Sequence, residues 1–182
     1  MRKVWPQTDK ELDMDVFEAL FTRRSIRKFT DEPVSDADLQ LVLKAAMCAP
    51  SAHNKQPWHF VVVRDTALLS AIAERHPYAK MAAEAPVVVV VCANPEESKS
   101  PGYWQQDCSA ALENMLIAAR GLKLGTVWCG MYPFEDRVEP IRELLKVPAQ
   151  INMLGLVVMG HPAQPFSEVE RFNESKIHLN GW

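Results

Sequence analysis

The chain has 182 residues, enough for one domain with a sizeable core. Hydrophobic content of 48% and charged content of 24% suit an ordinary globular protein, and a formal net charge of -3 gives no footing for a nucleic-acid partner. The most apolar run, Val87 to Cys92, is six residues long, whereas a bilayer span needs about 20.

The N-terminus, Met1 to Pro6, runs into charged residues with no apolar segment of the export type behind it. Cys48, Cys92, Cys108 and Cys129 form no CxxC pair. Reduced, mostly buried thiols and a cytoplasmic location are therefore the default expectations, with no membrane partner.

Asp13 to Thr22 reads as a helix capped by Asp13 or Asp15, with Val16, Phe17, Leu20 and Phe21 as an apolar stripe. Arg23-Arg24-Ser25-Ile26-Arg27 follows at its C-terminal end. Beyond Pro33, Ser35 N-caps a second helix with Asp38 three residues on, and Leu39, Val42, Leu43, Ala46 and Met47 keep the helical period. Pro50 closes it, and the turn from Ser51 to Pro57 leads into a strand, Trp58 to Val63. Thr66 to Ala73 is a short helix broken by His76-Pro77, with a further helical piece running to Glu84. Val87 to Cys92 is a buried strand, and Asn94 to Gly102 is a polar loop of the kind that often carries function.

Gln105 to Leu122 is the strongest helix. It is apolar over most of its circumference and hence central and buried. A strand at Thr126 to Cys129, a helix at Glu135 to Leu145 and a strand at Asn152 to Met159, closed by Gly160, follow. From His161 the chain is polar and irregular, yet it ends in Trp182, which argues that the terminus docks onto something. About four strands interleaved with five or six helices make an α/β or α+β sandwich with helices covering a sheet. The first glycine is Gly102, so no GxGxxG opens an early helix, and a dinucleotide-binding Rossmann domain is excluded.

Three segments carry chemistry a core does not need. Arg23, Arg24, Ser25 and Arg27 are phosphate-type donors, and in an extended chain Arg23, Ser25 and Arg27 share a face. Arginines that merely complement a helix C-terminus would look the same. Pro50-Ser51-Ala52-His53-Asn54-Lys55-Gln56-Pro57-Trp58 combines small residues, which allow close approach of a flat ligand, with amides that suit a ring edge bearing both donors and acceptors. An ordinary helix-to-strand loop is the plain alternative. Trp128-Cys129-Gly130-Met131-Tyr132-Pro133 puts a glycine N–H at a strand end, where it serves either a ligand heteroatom or only a turn. Cys129 has no neighbouring base in a nucleophile motif. In the tail, Arg171 and Lys176 are further candidate anion partners. The five histidines lack metal-ligand spacing, so no metal is expected.

In this order, Arg-Arg-Ser-Ile-Arg, Pro-Ser-Ala-x-Asn-x-Gln-Pro-Trp, Gly-Met-Tyr-Pro and a tail of the form Arg-Phe-x-Glu-Ser-x-x-His resemble the nitroreductase family of FMN-dependent oxidoreductases, over Phe17 to Trp182. The chain is similar to its short members. The resemblance implies an α+β fold, a central, mostly antiparallel sheet covered by helices, in an intertwined homodimer with FMN at the interface. It implies one domain over 1–182, with 161–182 as a tail that could wrap the partner subunit. Arg23, Arg24, Ser25 and Arg27 would hold the ribityl phosphate and pyrimidine edge. Pro50, Ser51, Ala52, Asn54 and Gln56 would come from the partner subunit. Cys129 and Gly130 would bring backbone groups to the reactive ring edge, although some relatives carry Glu where Cys129 stands. Arg171 would complete the phosphate grip, and His53 would line the substrate pocket.

The activity so implied is ping-pong transfer from NADH or NADPH through flavin to a nitroaromatic, quinone or similar small acceptor, with no catalytic acid–base side chain. Rivals are a dehalogenase-, flavin-destroying or dehydrogenase-type relative on the same fold, a flavin-binding sensor or store without turnover, and an anion-binding structural dimer.

Overall fold

The computed structural model describes residues 14–98 and 102–182. Four strands, β1 (Trp58–Val63), β2 (Val87–Ala93), β3 (Gly125–Gly130) and β4 (Asn152–Gly160), form one sheet in the order β1-β2-β4-β3. Every pairing is antiparallel, so of the two classes the element pattern allows, the fold is α+β. Its helices are α1 (Val16–Thr22), α2 (Asp36–Met47), α3 (Thr66–Arg75), α4 (Trp104–Gly121) and α5 (Glu135–Leu145).

The valine run of β2 shows how the layers form. Successive side chains point to opposite faces of a sheet. Val87, Val89 and Val91 pack on one face with Val42 of α2 and Leu112 and Met115 of α4. Val88, Val90 and Cys92 pack on the other with Ile72 of α3 and Val138 and Ile141 of α5. Because both faces are covered, β2 reads as a continuous apolar run instead of an alternating one.

Local signals set the helix starts. Asp15 caps α1, its carboxylate accepting from the N–H groups of Phe17 (2.6 Å) and Glu18 (3.3 Å), which decides between the two candidate caps; Asp13 lies outside the described residues. Ser35 Oγ accepts from Asp38 N–H at 3.0 Å to start α2. Helix α3 runs two residues past Ala73 and stops at His76, whose backbone is extended ahead of Pro77. The Asn94–Gly102 loop lies partly outside the described residues. Its described part pairs Glu97 with His59 on β1 at 3.1 Å.

Two surfaces depart from ordinary burial. The apolar stripe of α1 faces outward: Phe17 is 61% and Phe21 69% exposed, and only Ala19 is buried. The tail is exposed likewise, and among the described residues the Trp182 ring stacks on that of His178 at 4.4 Å while remaining fully exposed.

Strand β4 keeps glycine where β3 crosses it. A Cβ on Gly155 would lie 2.8 Å from the carbonyl oxygen of Cys129 and 2.7 Å from Nε1 of Trp128. The backbone contact cannot yield by a rotamer change. Gly155→Ala is expected to cost about 1–3 kcal/mol as overpacking, read as a lower urea midpoint at unchanged slope.

Candidate functional site

The basic segment lies along the free edge of β3. Ser25 bridges Thr126 in parallel, and Ile26 N–H donates to Thr126 O at 2.8 Å. Ile26 is fully buried, seated where Gly125 has no side chain. That anchor leaves Arg23 and Arg24 half-buried and Ser25 and Arg27 exposed. Arg23 Nε pairs with Glu113 of α4 at 3.2 Å. Arg24 donates to the carbonyls of Arg23 and of Val169, the latter at 3.5 Å, while its buried Nε has no partner among the described residues. The backbone N–H groups of Arg27 and Lys28 both donate to Gln164 Oε1, each at 3.0 Å, which ties the start of the tail to this segment.

Arg23, Arg24 and Arg171 line one cleft of about 720 Å³, together with Phe21, Glu168 and Phe172 among others. The cluster and the tail arginine, some 150 positions apart in sequence, are thus brought together. Behind them stands Arg120 near the end of α4. Its Nε donates to Thr22 Oγ1 at 2.9 Å and its guanidinium lies 4.0 Å over the Phe166 ring. Burial lowers its pKa, and Glu18 opposes that shift.

The amide-rich turn is held differently. His53, Asn54 and Gln56 all have positive φ, at 53°, 52° and 52°. Non-glycine residues rarely adopt that region, and such strain gathers at functional sites. The turn survives because its polar groups are tied. Ala52 N–H donates to Asp107 Oδ1, Gln56 N–H to Ser51 Oγ, and Gln56 Nε2 to Asn54 Oδ1, each at 2.9 Å. Asp107 is 4% exposed, and its Oδ2 has no partner among the described residues.

At the third segment ladder geometry decides what is available. Met131 N–H donates across to Leu154 O at 3.1 Å, whereas Thr126 O accepts from Ile26 on the opposite side. Backbone groups alternate sides along an antiparallel strand. Thr126, Trp128 and Gly130 therefore turn N–H and C=O to the free edge, and Cys129 and Met131 turn theirs to β4. Gly130 presents its N–H on the edge that carries the basic segment, roughly 14 Å further along.

The Cys129 side chain is buried and donates Sγ–H to Tyr78 O at 3.2 Å. Burial pushes its thiol up to about 11, with Arg27 pulling it down slightly, so it is no thiolate near neutrality.

Within one chain the basic segment and the amide-rich turn stay apart. Ser25 sits beside β3 at the row of Thr126, Met159 and Val87, while the turn enters β1 at Trp58, opposite Ala93. The two are separated by four strand spacings, about 19 Å, across the sheet and about 20 Å along it. Helix α4 repeats this: Asp107 holds the turn at one end and Arg120 holds Thr22 at the other, about 20 Å apart along the axis.

Sequence reasoning passed over Asp107, Arg120 and His76. Each has a signal. Asp107 falls among Trp104, Cys108 and Ala111 on the buried stripe of α4, and His76 continues the stripe of Leu69, Ile72 and Ala73 on α3. A polar side chain on an apolar stripe asks for a partner. His76 is fully buried. Its Nε2–H donates to Gly130 O and its Nδ1 accepts from Tyr78 N–H, both at 3.2 Å, which fixes the neutral tautomer.

The comparisons with known proteins agree with one another. The profile of the Nitroreductase family matches residues 20–76 and 73–161. A protein of Methanothermobacter thermautotrophicus, provisionally named an NADH dehydrogenase/NAD(P)H nitroreductase, is 47% identical over 93% of this chain and 88% of its own. A crystal structure with the same provisional name, from Parabacteroides distasonis, superposes with a TM-score of 0.88 at 37% identity, covering 92% of this chain and 98% of the other. A provisionally named nitroreductase from Desulfovibrio desulfuricans, solved in complex with FMN, gives a TM-score of 0.80 at 32% identity, over 93% and 99% of the two chains. This chain belongs to the nitroreductase family.

His76 has a pH consequence. Desolvation lowers its pKa from 6.5, with Arg137 adding to that and the Gly130 carbonyl and Asp136 opposing. The neutral form is thus favoured by folding. Its contribution is complete above about 6.5 and is lost as pH falls through the lowered folded value. The wild type should lose stability between pH 7.5 and 5.5, and His76→Gln should lose measurably less over the same interval in urea titrations. Equal losses would remove His76 from the acid sensitivity.

Proposed function

We propose that this chain is an FMN-dependent NAD(P)H oxidoreductase that passes electrons to a small oxidised acceptor such as a nitroaromatic or quinone, working as a homodimer with its flavin sites between subunits. The observation that carries the reading is the convergence of Arg23, Arg24 and Arg171 on one cleft, with a buried guanidinium nitrogen of Arg24 lacking a partner among the described residues. That is the donor chemistry a phosphate requires. Ser25 and Arg27, exposed on the same edge, extend the donor set toward a pyrimidine edge.

The Gly130 N–H supplies a fixed donor where a flat ring could lie along β3, with the backbone of Cys129 setting its direction. Pro50, Ser51, Ala52, Asn54 and Gln56 are too far from this edge to share a ring with it in one chain, so they would serve the site of a second copy. The outward stripe of α1 and the exposed apolar residues of the tail support that pairing. In the same reading the 1–182 chain forms one domain, and its tail, 161–182, reaches the other subunit. The chemistry supplied by the bound group is two-electron transfer from NAD(P)H to the acceptor, in ping-pong order. The chain's own part is to grip the phosphate, fix the ring and keep a positive field over it. Cys129, buried and protonated, takes no covalent part. Free thiols at Cys48, Cys92, Cys108 and Cys129 accord with a cytoplasmic setting, and no helix among the described residues is long and apolar enough to cross a membrane.

Purified protein should take up FMN, show a flavin band near roughly 450 nm, and oxidise NADH or NADPH with a quinone or nitroarene acceptor. Arg24→Ala and Arg171→Ala should each weaken FMN by about 1.5–3 kcal/mol, the worth of a charged hydrogen bond, with unfolding midpoints close to wild type. Protein that neither contains nor binds FMN would overturn the reading. Unchanged affinity in both variants would move the phosphate elsewhere.

A further inference from the structure

The start of the tail runs antiparallel to the basic segment and is zipped to it. Thr30 N–H donates to His161 O and Ala163 N–H to Lys28 O, each at 2.9 Å, and Phe29 bridges Pro162. Ile26 and Phe29 are buried and anchor the segment on either side of Arg27. Between those anchors, the two peptide planes that meet at Arg27 have no backbone partner among the described residues. Gln164 supplies one instead: its Oε1 accepts from Arg27 N–H and from Lys28 N–H, each at 3.0 Å. Successive N–H groups of an extended chain point to opposite sides and cannot share an acceptor. The chain therefore bends at Arg27, and its side chain leaves the alternation that Ser25 follows beside β3. Gln164 is itself held firmly. Pro165 biases it to an extended backbone, and Phe166 packs on the core and lies 4.0 Å under the Arg120 guanidinium. Arg27 is exposed, and its charge opposes the rise that burial gives the Cys129 thiol, so the bend carries the guanidinium toward the end of β3.

We infer that Gln164 is a positioning residue: by accepting from the Arg27 and Lys28 N–H groups, it holds the bend that turns the Arg27 guanidinium to the pyrimidine edge of the flavin. The inference rests on the FMN reading above and deepens it. Gln164 acts through the Arg27 backbone and not on the ligand. Without its carbonyl the two N–H groups lose their shared partner, the segment is free to extend, and the Arg27 side chain swings to a different side of the chain. The phosphate grip is a separate arm of the site. Arg24 and Arg171 line the cleft, and neither Gln164 nor Arg27 does. Loss of the bend therefore weakens the hold on the ring and leaves the hold on the phosphate.

Gln164→Met keeps nearly the length and volume of the side chain but replaces its amide with a thioether, a poor acceptor. FMN and riboflavin affinities are read side by side by fluorescence quenching, because riboflavin has the ring without the phosphate. Gln164→Met should weaken both ligands alike, on the order of 10-fold, the factor one charged hydrogen bond supplies. In an Arg27→Met background, itself weaker for both ligands, it should add less than about 2-fold, since the two residues act as one unit. A Gln164→Met variant that binds both ligands as wild type does overturns the inference alone. So does a loss confined to FMN, which would mean that the tail had released Arg171 instead. A full further loss in the Arg27→Met background overturns it as well, because Gln164 would then act by another route. If Gln164→Met does not fold, Gln164→Asn, too short to meet both N–H groups, carries the test and must give the same pattern. Wild type that takes up no FMN overturns the flavin reading and this inference with it.

Discussion

Helix α4 and the sheet beneath it keep two groups of ligand-type residues apart. The helix is buried on the face that covers β2 and β4, and tied near each end by one polar contact: Asp107 to the Ala52 backbone and Arg120 to Thr22. A helix cannot be shortened without breaking its hydrogen-bond ladder, so the spacing it imposes, about 20 Å between those residues, is as rigid as anything in the molecule. The antiparallel order of the sheet imposes the same separation independently. Neither group alone surrounds a flat ligand. A second copy is the simplest structure that brings a basic edge from one chain against an amide-rich turn from the other.

Each half of the site is held by buried anchors and not by secondary structure alone. Ile26, packed where Gly125 has no side chain, fixes the basic segment. Asp107 fixes a turn with three residues at positive φ. His76 bonds the carbonyl of the last residue of β3. In each case the anchor is buried, and the groups it presents are half-buried or exposed. This division leaves the presented donors preorganised.

Much of the fold was legible in the sequence. The valine run of β2, the Ser35 cap and the limits of α5 at Glu135 and Leu145 follow from local rules that the tertiary structure did not override. The element pattern alone left strand direction open, since interleaved helices and strands suit a parallel sheet as well as an antiparallel one; the family resemblance supplied the antiparallel sheet, and the order β1-β2-β4-β3 came only from the structure. The stripe on α1 read correctly as helical but gave no hint that it faces outward, because periodicity reports a face and not what covers it. The candidate ligand residues stood out by composition. Their anchors did not: Asp107 and His76 are single polar residues within apolar stripes, and the groups that Asp107, His76 and Arg120 tie down at Ala52, Gly130 and Thr22 lie more than fifty positions away. Convergence of Arg171 with Arg23 and Arg24 required the tail's path, which no local pattern encodes.

The most direct test mixes two defective chains. One carries Arg24→Ala and Arg171→Ala, the other Asn54→Ala and Gln56→Ala, and each alone should bind FMN weakly. Co-expressed with separate tags and purified as the mixed dimer, they should regain one site of wild-type affinity per dimer, because one interface then combines an intact basic edge with an intact turn. Mixed dimers that bind no better than either parent, or chains that sediment as monomers while holding FMN tightly, would contradict a site built from two subunits.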